Sequence, residues 1–508
     1  MRGAPVLASA TAGVAAVLGF SPFGFALAPV LGLALWFGQI VAAAPGAAAV
    51  RGYAFGLGYF GAGVSWIQVS AHQFGVPVYA FSVGVTLGFV AFLAAYPALS
   101  AWFAARLVPA EAGRGARLAL LVPAFVLGEG LRGYLFTGFP WLAVGYSQTA
   151  GPLRGYAPLV GTYGLSLAVA TAAALAVLLV LVPVLRRRAL AGLALLVAGG
   201  LLAGRVEFTR PAGEPFAVAI VQGNVPQARK WLPSERPRTL RRYLALSERA
   251  LEAGADVVIW PETAIPAFAD EVPEVLEALR AIAVDSKATF LVGVPRRLPV
   301  PGAPDARPML FNSVVELGAS GMRWYDKRHL VPFGEYLPLE GLIRAPLANL
   351  GVRLADFAPG PDDQALLRAG GHALGMSICY EDVFAREVNR SLPDAHYLVN
   401  VSNDAWFGNS LAPHQHMQIA RMRALETGRM MVRATNTGIS AVAEHRGRLV
   451  AASPQFETDV LVAEVLPRRG VTPYLALGDA GVLAGVAGLC VLALVATRRR
   501  VGRLRGSF

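Results

Sequence analysis

The chain has 508 residues, is 55% hydrophobic and only 15% charged, and has a mean hydropathy of +0.50; soluble proteins carry about a quarter charged residues, so an entirely soluble fold is excluded. The formal net charge is +12, and 42 of the 45 basic residues are arginines clustered beside apolar segments, which fits membrane topology better than nucleic-acid binding. Two cysteines, Cys379 and Cys490, argue against a disulfide framework and leave Cys379 a free thiol.

From Pro5 to about Gly204 the sequence is a series of apolar stretches, each near the roughly 20 residues that cross a bilayer. They fall at about 5–20, 25–44, 52–70, 77–105, 117–135, 157–184 and 188–204, with an eighth at about 479–497. The first is not a cleaved signal peptide, because Ser21-Pro-Phe-Gly24 turns straight into a second apolar stretch. With eight spans, Arg2, Arg51, Arg106, Arg114, Arg117, the run Arg186 to Arg188 and the tail from Arg498 to Arg505 share one side. The positive-inside rule makes that side cytoplasmic, with both termini there, and puts the segment between about Arg205 and Pro473 on the other side, the periplasm of a two-membrane bacterium. Arg132 and Arg154 run against this pattern. Glu129 and Arg132, one helical turn apart beside an apolar stretch, are either an ion pair at the membrane edge or a functional pair. Trp66, His72, Phe74, Phe136, Phe139, Trp141 and Tyr146 read mostly as interfacial anchors.

Three domains follow: a transmembrane region over 1–204, an extramembrane domain over 205–473, and a final span with a basic tail over 474–508. After Arg205 the periodicity changes to strands at 216–221, 255–260, 289–294, 311–317, 373–378, 396–401 and 438–444, with helices at about 235–253, 272–286 and 414–428. Strands alternating with helices predict an α/β sandwich, and roughly 260 residues suffice for a core of its own.

Strand ends are where chemistry collects in α/β layers, and three of them carry candidates. Glu262 follows the strand ending at Trp260, either as a reactive carboxylate or as a cap of the next turn. The run Tyr325 to Glu335 contains Lys327, one of only three lysines with Lys230 and Lys287. A lysine kept in so arginine-rich a chain invites a chemical reason, since lysine can change protonation where arginine cannot. Cys379 ends the strand 373–378 and opens what reads as a helix, with Glu381 and Asp382 in its first turn. That posture holds a thiol out of the core beside backbone N–H groups that lower its pKa; the alternative is a buried structural cysteine.

The order Glu262, Lys327, Cys379 resembles the nitrilase superfamily of carbon–nitrogen hydrolases. Gln222-Gly-Asn-Val-Pro-Gln227 with Trp231, the run Lys327 to Glu335, Cys379-Tyr-Glu381, Asn403-Asp-Ala-Trp-Phe-Gly408 and Pro413 to Arg421 are together similar to the apolipoprotein N-acyltransferase family, over essentially the whole chain. The resemblance implies an integral-membrane α-helical bundle of about eight transmembrane helices with an extramembrane nitrilase-like α-β-β-α sandwich. It implies Cys379 as nucleophile, Glu262 as general base and Lys327 as oxyanion-stabilising cation. Glu335 would orient the lysine or the thiol, and Trp231, Tyr380 and Glu381 would lie near the pocket and its loops. The implied reaction takes an acyl chain from a phospholipid, typically the sn-1 chain of phosphatidylethanolamine, onto Cys379. It then passes the chain to the α-amine of a diacylglyceryl-cysteine at the start of an apolipoprotein. It calls for no cofactor, metal or nucleic acid, and for a monomer in the bacterial inner membrane.

Trp231, Trp406 and Phe407 are expected as lids, or in the case of Trp406 as domain packing. His414 and His416 point to different faces of a predicted helix and have no third ligand nearby in sequence, so they are expected as polar helix-start residues rather than metal ligands. Two rival functions remain: a membrane-tethered amidase using water, and a transporter whose extramembrane domain only binds. Eight spans give a small soluble substrate no purpose, and the few charges within the spans argue against a transport path.

Overall fold

The computed structural model describes residues 3–75, 78–303, 306–338, 340–341 and 356–505. The expected sites Arg2 and the side chain of Phe74 lie outside the described residues. The chain forms two compact units, one comprising Val78–Glu207 with the segments up to His72 and from Thr472, the other centred on Phe208–Val471.

In the first unit, helices occupy Ala4–Val17, Ala28–Ile40, Pro45–Gly63, Tyr79–Leu107, Arg114–Tyr134, Ala157–Leu181, Arg186–Ala203 and Pro473–Arg505, one at each apolar stretch. Among the described residues, four helices are long and apolar enough to cross a membrane: Tyr79–Leu107, Arg114–Thr137, Arg154–Leu181 and Pro473–Arg503. Ala4–Val17 and Ala28–Ile40 are apolar but short, about 20 Å each at 1.5 Å per residue, against a hydrocarbon thickness of about 30 Å. Leu31, Leu35, Leu87, Leu195 and Leu492 stand exposed on these helices, the faces that lipid would cover.

Glu129 and Arg132 do not pair. Both are buried; Glu129 accepts a hydrogen bond from the Val144 N–H at 2.9 Å, while Arg132 donates to the carbonyls of Phe139 and Trp141. The two side chains thus hold the irregular segment 139–144, whose main-chain groups would otherwise be unsatisfied inside the bundle.

The second unit contains two six-stranded sheets. The first runs in the order Asp459–Val465, Phe216–Gln222, Val257–Ile259, Thr289–Gly293, Ser313–Gly318, Gly321–Asp326; the second runs Leu449–Ala452, Ala441–Ala443, Met431–Thr435, Tyr397–Ser402, His372–Ile378, Leu367–Ala369. Each has three central parallel strands flanked by antiparallel ones. Alternation along the strands builds the layers. Val218 and Ile220 face Met376, Ile378, Val399 and Val432 between the sheets, whereas Ala219 and Val221 face Tyr243, Leu246 and Leu279 on the helices Arg236–Glu252 and Pro273–Ser286. On the far side, Leu398 and Met431 meet Ala420 and Ala424 of the helix Ala412–Thr427. The result is an α-β-β-α stack.

Five strands of these two sheets were not anticipated: Gly321–Asp326, Leu367–Ala369, Met431–Thr435, Leu449–Ala452 and Asp459–Val465. Met431–Thr435 is a fully buried central strand with Arg433 in its middle, and that charge interrupts the apolar run that marks such strands. The strand expected at 438–444 is confined to Ala441–Ala443.

Ile220 is fully buried between the sheets. Ile220→Ala is expected to destabilise the protein by about 2–5 kcal/mol, read as a lowered melting temperature of the detergent-solubilised chain, whereas Leu244→Ala on an exposed position should stay within about 0.5 kcal/mol.

Candidate active site

The segment bearing Glu262 leaves the first sheet after Val257–Ile259, through Trp260 and Pro261. It can run there only because residue 293 on the neighbouring strand is glycine: a Cβ at Gly293 would lie 2.2 Å from the Pro261 carbonyl oxygen and 2.9 Å from the Glu262 Cα. Thr263, next to Glu262, has φ 50°. The buried Glu262 side chain accepts a hydrogen bond on Oε1 from Asn312 Nδ2 at 2.7 Å. Its Oε2 is buried and, among the described residues, has no hydrogen-bond partner.

Lys327 follows the edge strand Gly321–Asp326. That strand's end is clamped by Arg296, which pairs with Asp326, and by Ser313, whose hydroxyl donates to Asp326 at 2.6 Å. Lys327 is buried and lies 2.9 Å from both carboxylate oxygens of Glu335. Glu335 also accepts from Asn312 at 2.9 Å and from the Val331 N–H at 2.8 Å. Burial works against the charge on Lys327, but Glu335, Cys379 and Glu262 together outweigh it and raise its pKa above the ordinary lysine value. Asn312, which the sequence reading did not single out, bridges Glu262 and Glu335 through one amide group.

Cys379 ends the central strand His372–Ile378 of the second sheet, at φ 51°. The segment Cys379–Val383 is a five-residue 3-10 turn rather than the first turn of an α-helix. Glu381 and Asp382, expected in the first turn of a helix, are instead fully buried and individually bonded. Glu381 accepts four hydrogen bonds: from the N–H groups of Arg328, His329 and Ile378 and from the Tyr325 hydroxyl. One carboxylate therefore ties the lysine-bearing loop to the cysteine-bearing turn. The thiol itself is buried in the core between the sheets, contrary to the expectation that the turn would hold it outside. Its pKa is correspondingly raised, by burial first and by the negative charge of Glu262 second, while Lys327 and a hydrogen bond with Ser402 pull the other way. At rest it is a thiol, not the lowered-pKa thiolate expected from the turn.

Behind the turn is a buried charge network. Arg433 donates to Asp382 at 3.2 Å and to both oxygens of Asp404 at 3.1 Å, and His416 Nε2 lies 2.8 Å from Asp382. Asn400, paired in register with Ser377 on one side and Arg433 on the other, donates to the Cys379 carbonyl at 3.1 Å. Burial raises the Asp404 pKa, yet Arg433 and His416 reverse this and hold it well below the ordinary carboxylate range. His416 is thus a buried partner of Asp382 and not the polar helix-start residue expected. His414 is half-buried.

Trp231 is 49% exposed, directly after Lys230. Trp406 is also exposed, as is Phe333, two residues before Glu335 and at φ 64°. Tyr380 packs edge-on against Phe384, with centroids 5.0 Å apart. Lys230 was noted in the sequence only for its rarity. It is buried, and its Nζ donates to the main-chain carbonyl of Glu262 at 3.1 Å.

Comparison with known proteins fits both units. A carbon-nitrogen hydrolase family matches residues 217–472, and an apolipoprotein N-acyltransferase N-terminal domain matches 12–175. A protein of Methylococcus capsulatus named apolipoprotein N-acyltransferase is 45% identical, covering 97% of this chain and 96% of its own. Proteins of the same name from Nitrosomonas europaea and Pseudomonas aeruginosa are 41% and 39% identical, with 96% of this chain covered in each case and 96% and 94% of theirs. Among solved structures, a nitrilase-superfamily amidase from Nesterenkonia is 19% identical with a TM-score of 0.38, covering 54% of this chain and 98% of that one.

Glu381→Gln keeps the side chain's size but turns an amide N–H toward donors that now face an oxygen, leaving buried donors unsatisfied at about 1–3 kcal/mol each. It is expected to lower the melting temperature and to alter the rate at which iodoacetamide alkylates Cys379, both measured on the purified protein beside the parent.

Proposed function

The chain belongs to the apolipoprotein N-acyltransferase family, and from that membership we propose a two-step acyl transfer carried by Cys379, Glu262 and Lys327. The observation that supports it is the convergence of these residues, with Glu335 and Asn312, at strand ends of two facing sheets, where the charges of Glu262 and Lys327 act directly on the thiol.

In the first step the free Oε2 of Glu262 takes the proton of the Cys379 thiol as the sulfur attacks the ester carbonyl of a phospholipid, with the sn-1 chain of phosphatidylethanolamine the preferred donor. The resting thiol has a raised pKa, so deprotonation has to accompany attack rather than precede it. Lys327, fixed by Glu335, stabilises the oxyanion. Collapse expels the lysophospholipid alkoxide, which takes the proton back from Glu262 and leaves a thioester on Cys379. In the second step the α-amine of a diacylglyceryl-cysteine attacks the thioester carbonyl. Glu262 accepts a proton from the attacking nitrogen and returns it to the leaving sulfur, and the product is an amide. Both substrates keep acyl chains in the bilayer, and withdrawing one costs about 0.8 kcal/mol per methylene. Trp231, Phe333 and Trp406 suit a rim that sheds water from the thioester while an acyl chain is bound.

The same reading places the protein in the bacterial inner membrane as a monomer with eight spans. Both termini are cytoplasmic and the α/β unit is periplasmic, as the arginine distribution indicates.

The test is the intact mass of the purified protein after incubation with phosphatidylethanolamine alone. A fatty-acyl adduct that hydroxylamine removes is expected in the parent, none in Cys379→Ser, and formation slowed by about a hundredfold or more in Glu262→Gln, the usual cost of a lost general base. Absence of the adduct from a folded parent, with the lipid unconsumed, would overturn the thioester mechanism.

A further inference from the structure

The three lysines of the chain have different environments. Lys327 pairs with Glu335. Lys287, at φ 58°, caps the helix Pro273–Ser286 in a left-handed conformation. Lys230 is 3% exposed, and among the described residues its ammonium has a single hydrogen-bond acceptor, the main-chain oxygen of Glu262 at 3.1 Å, and no carboxylate within ion-pair distance.

A buried ammonium with one acceptor is an expensive way to fill space, since its desolvation is offset only in part and an apolar side chain of similar length would pack there without that cost. What the charge does meet is the reactive centre: the Glu262 carboxylate acts on it first and the Cys379 sulfur, neutral at rest and negative only as it gives up its proton, second, with Lys327 and Glu335 beyond them across the Asn312 bridge. We propose that Lys230 is a positioning residue for the acyl transfer, fixing the main chain of the Glu262 segment through its carbonyl. In doing so it supplies a second positive charge toward the sulfur. The inference rests on the roles of Cys379 and Glu262 given above.

Two consequences separate this from a packing role. Trp231 is the next residue, so the hydrogen bond that holds Glu262 also tethers the exposed indole to the site, and one contact serves both the base and the rim. Secondly, the charge is titratable: burial lowers the Lys230 pKa to about 8, with the Glu262 carboxylate keeping it from falling further. The ammonium is therefore present at neutral pH and lost as the pH rises through about 8. Glu335 and Lys327 compensate one another at 2.9 Å, and Lys230 adds a second positive charge that acts on Glu262.

The experiment uses the full-length protein with phosphatidylethanolamine as donor and iodoacetamide as thiol probe, comparing the parent with Lys230→Met and Lys230→Arg. In the parent, acyl-adduct formation should decline as the pH passes about 8. Lys230→Met should slow alkylation of Cys379 at neutral pH by about tenfold, the effect of one unit in the thiol's pKa. It should also remove the alkaline decline, with a melting temperature equal to or above the parent's. Lys230→Arg, which cannot deprotonate, should recover much of the rate and carry it to higher pH. Unchanged alkylation and an unchanged pH profile in Lys230→Met would overturn the proposal, as would an arginine variant as slow as the methionine one at normal stability. Should neither variant fold, a parent acylation rate that does not fall through pH 8 overturns it. A parent that forms no adduct would instead sink the thioester mechanism itself, so the two failures are distinguishable.

Discussion

A carboxylate buried to zero exposure has to be hydrogen-bonded at every lone pair it can offer, and Glu381 meets that requirement by joining two distant stretches of chain. Its four donors come from the strand end at Tyr325, the loop at Arg328 and His329, and the last residue before Cys379. Were the lysine loop to shift, main-chain N–H groups and an anion would be stranded together inside the sandwich. The relative position of the cation and the thiol is thus enforced by the cost of leaving polar groups unpaired, which is steeper and more directional than apolar packing.

The same logic operates one layer further out. Arg433 occupies the middle of a central strand where an aliphatic residue is the norm, and it is accommodated by Asp382, Asp404 and His416, all buried. Asp382 belongs to the cysteine's own turn, Asp404 to the loop after the next strand, and His416 to the covering helix. The turn bearing the sulfur is therefore held from both sides, by Glu381 toward the first sheet and by the Arg433 network toward the outer helix. Its left-handed cysteine conformation, costly for a residue with a side chain, persists because these bonds over-determine it.

Much of this was legible in the sequence, but unevenly. Apolar length marked each of the eight helices named for the first unit, and the strands Phe216–Gln222, Thr289–Gly293 and His372–Ile378 were visible as apolar runs. The strand Met431–Thr435 was hidden because Arg433 breaks the pattern, although the charge is there to bond the cysteine's turn. Glu262, Lys327, Glu335 and Cys379 have their buried contacts in one region of the fold; Glu262, Lys327 and Cys379 were singled out from strand-end position and resemblance, and Glu335 from resemblance. Asn312 and Lys230 were not, because neither stands at a distinctive spacing from the residues it touches: their contacts reach 50 and 32 residues along the chain. The burial of Cys379 was misjudged for a related reason. A local pattern of strand, cysteine and two acids describes an α-helix start, and only the cross-sheet partners of those acids convert it into a tight turn that points the sulfur inward.

The raised pKa and burial of Cys379 have a bearing on its oxidation as well as on the transfer proposed for it. Peroxides and disulfides react with thiolates that solvent can reach, and a thiol kept protonated between two sheets offers neither feature. On the mechanism proposed above, the thiol gives up its proton only as a substrate carbonyl is attacked, so the unladen protein offers oxidants little thiolate. A thiol so placed depends less on a resolving partner or a reducing system to stay in the reduced form.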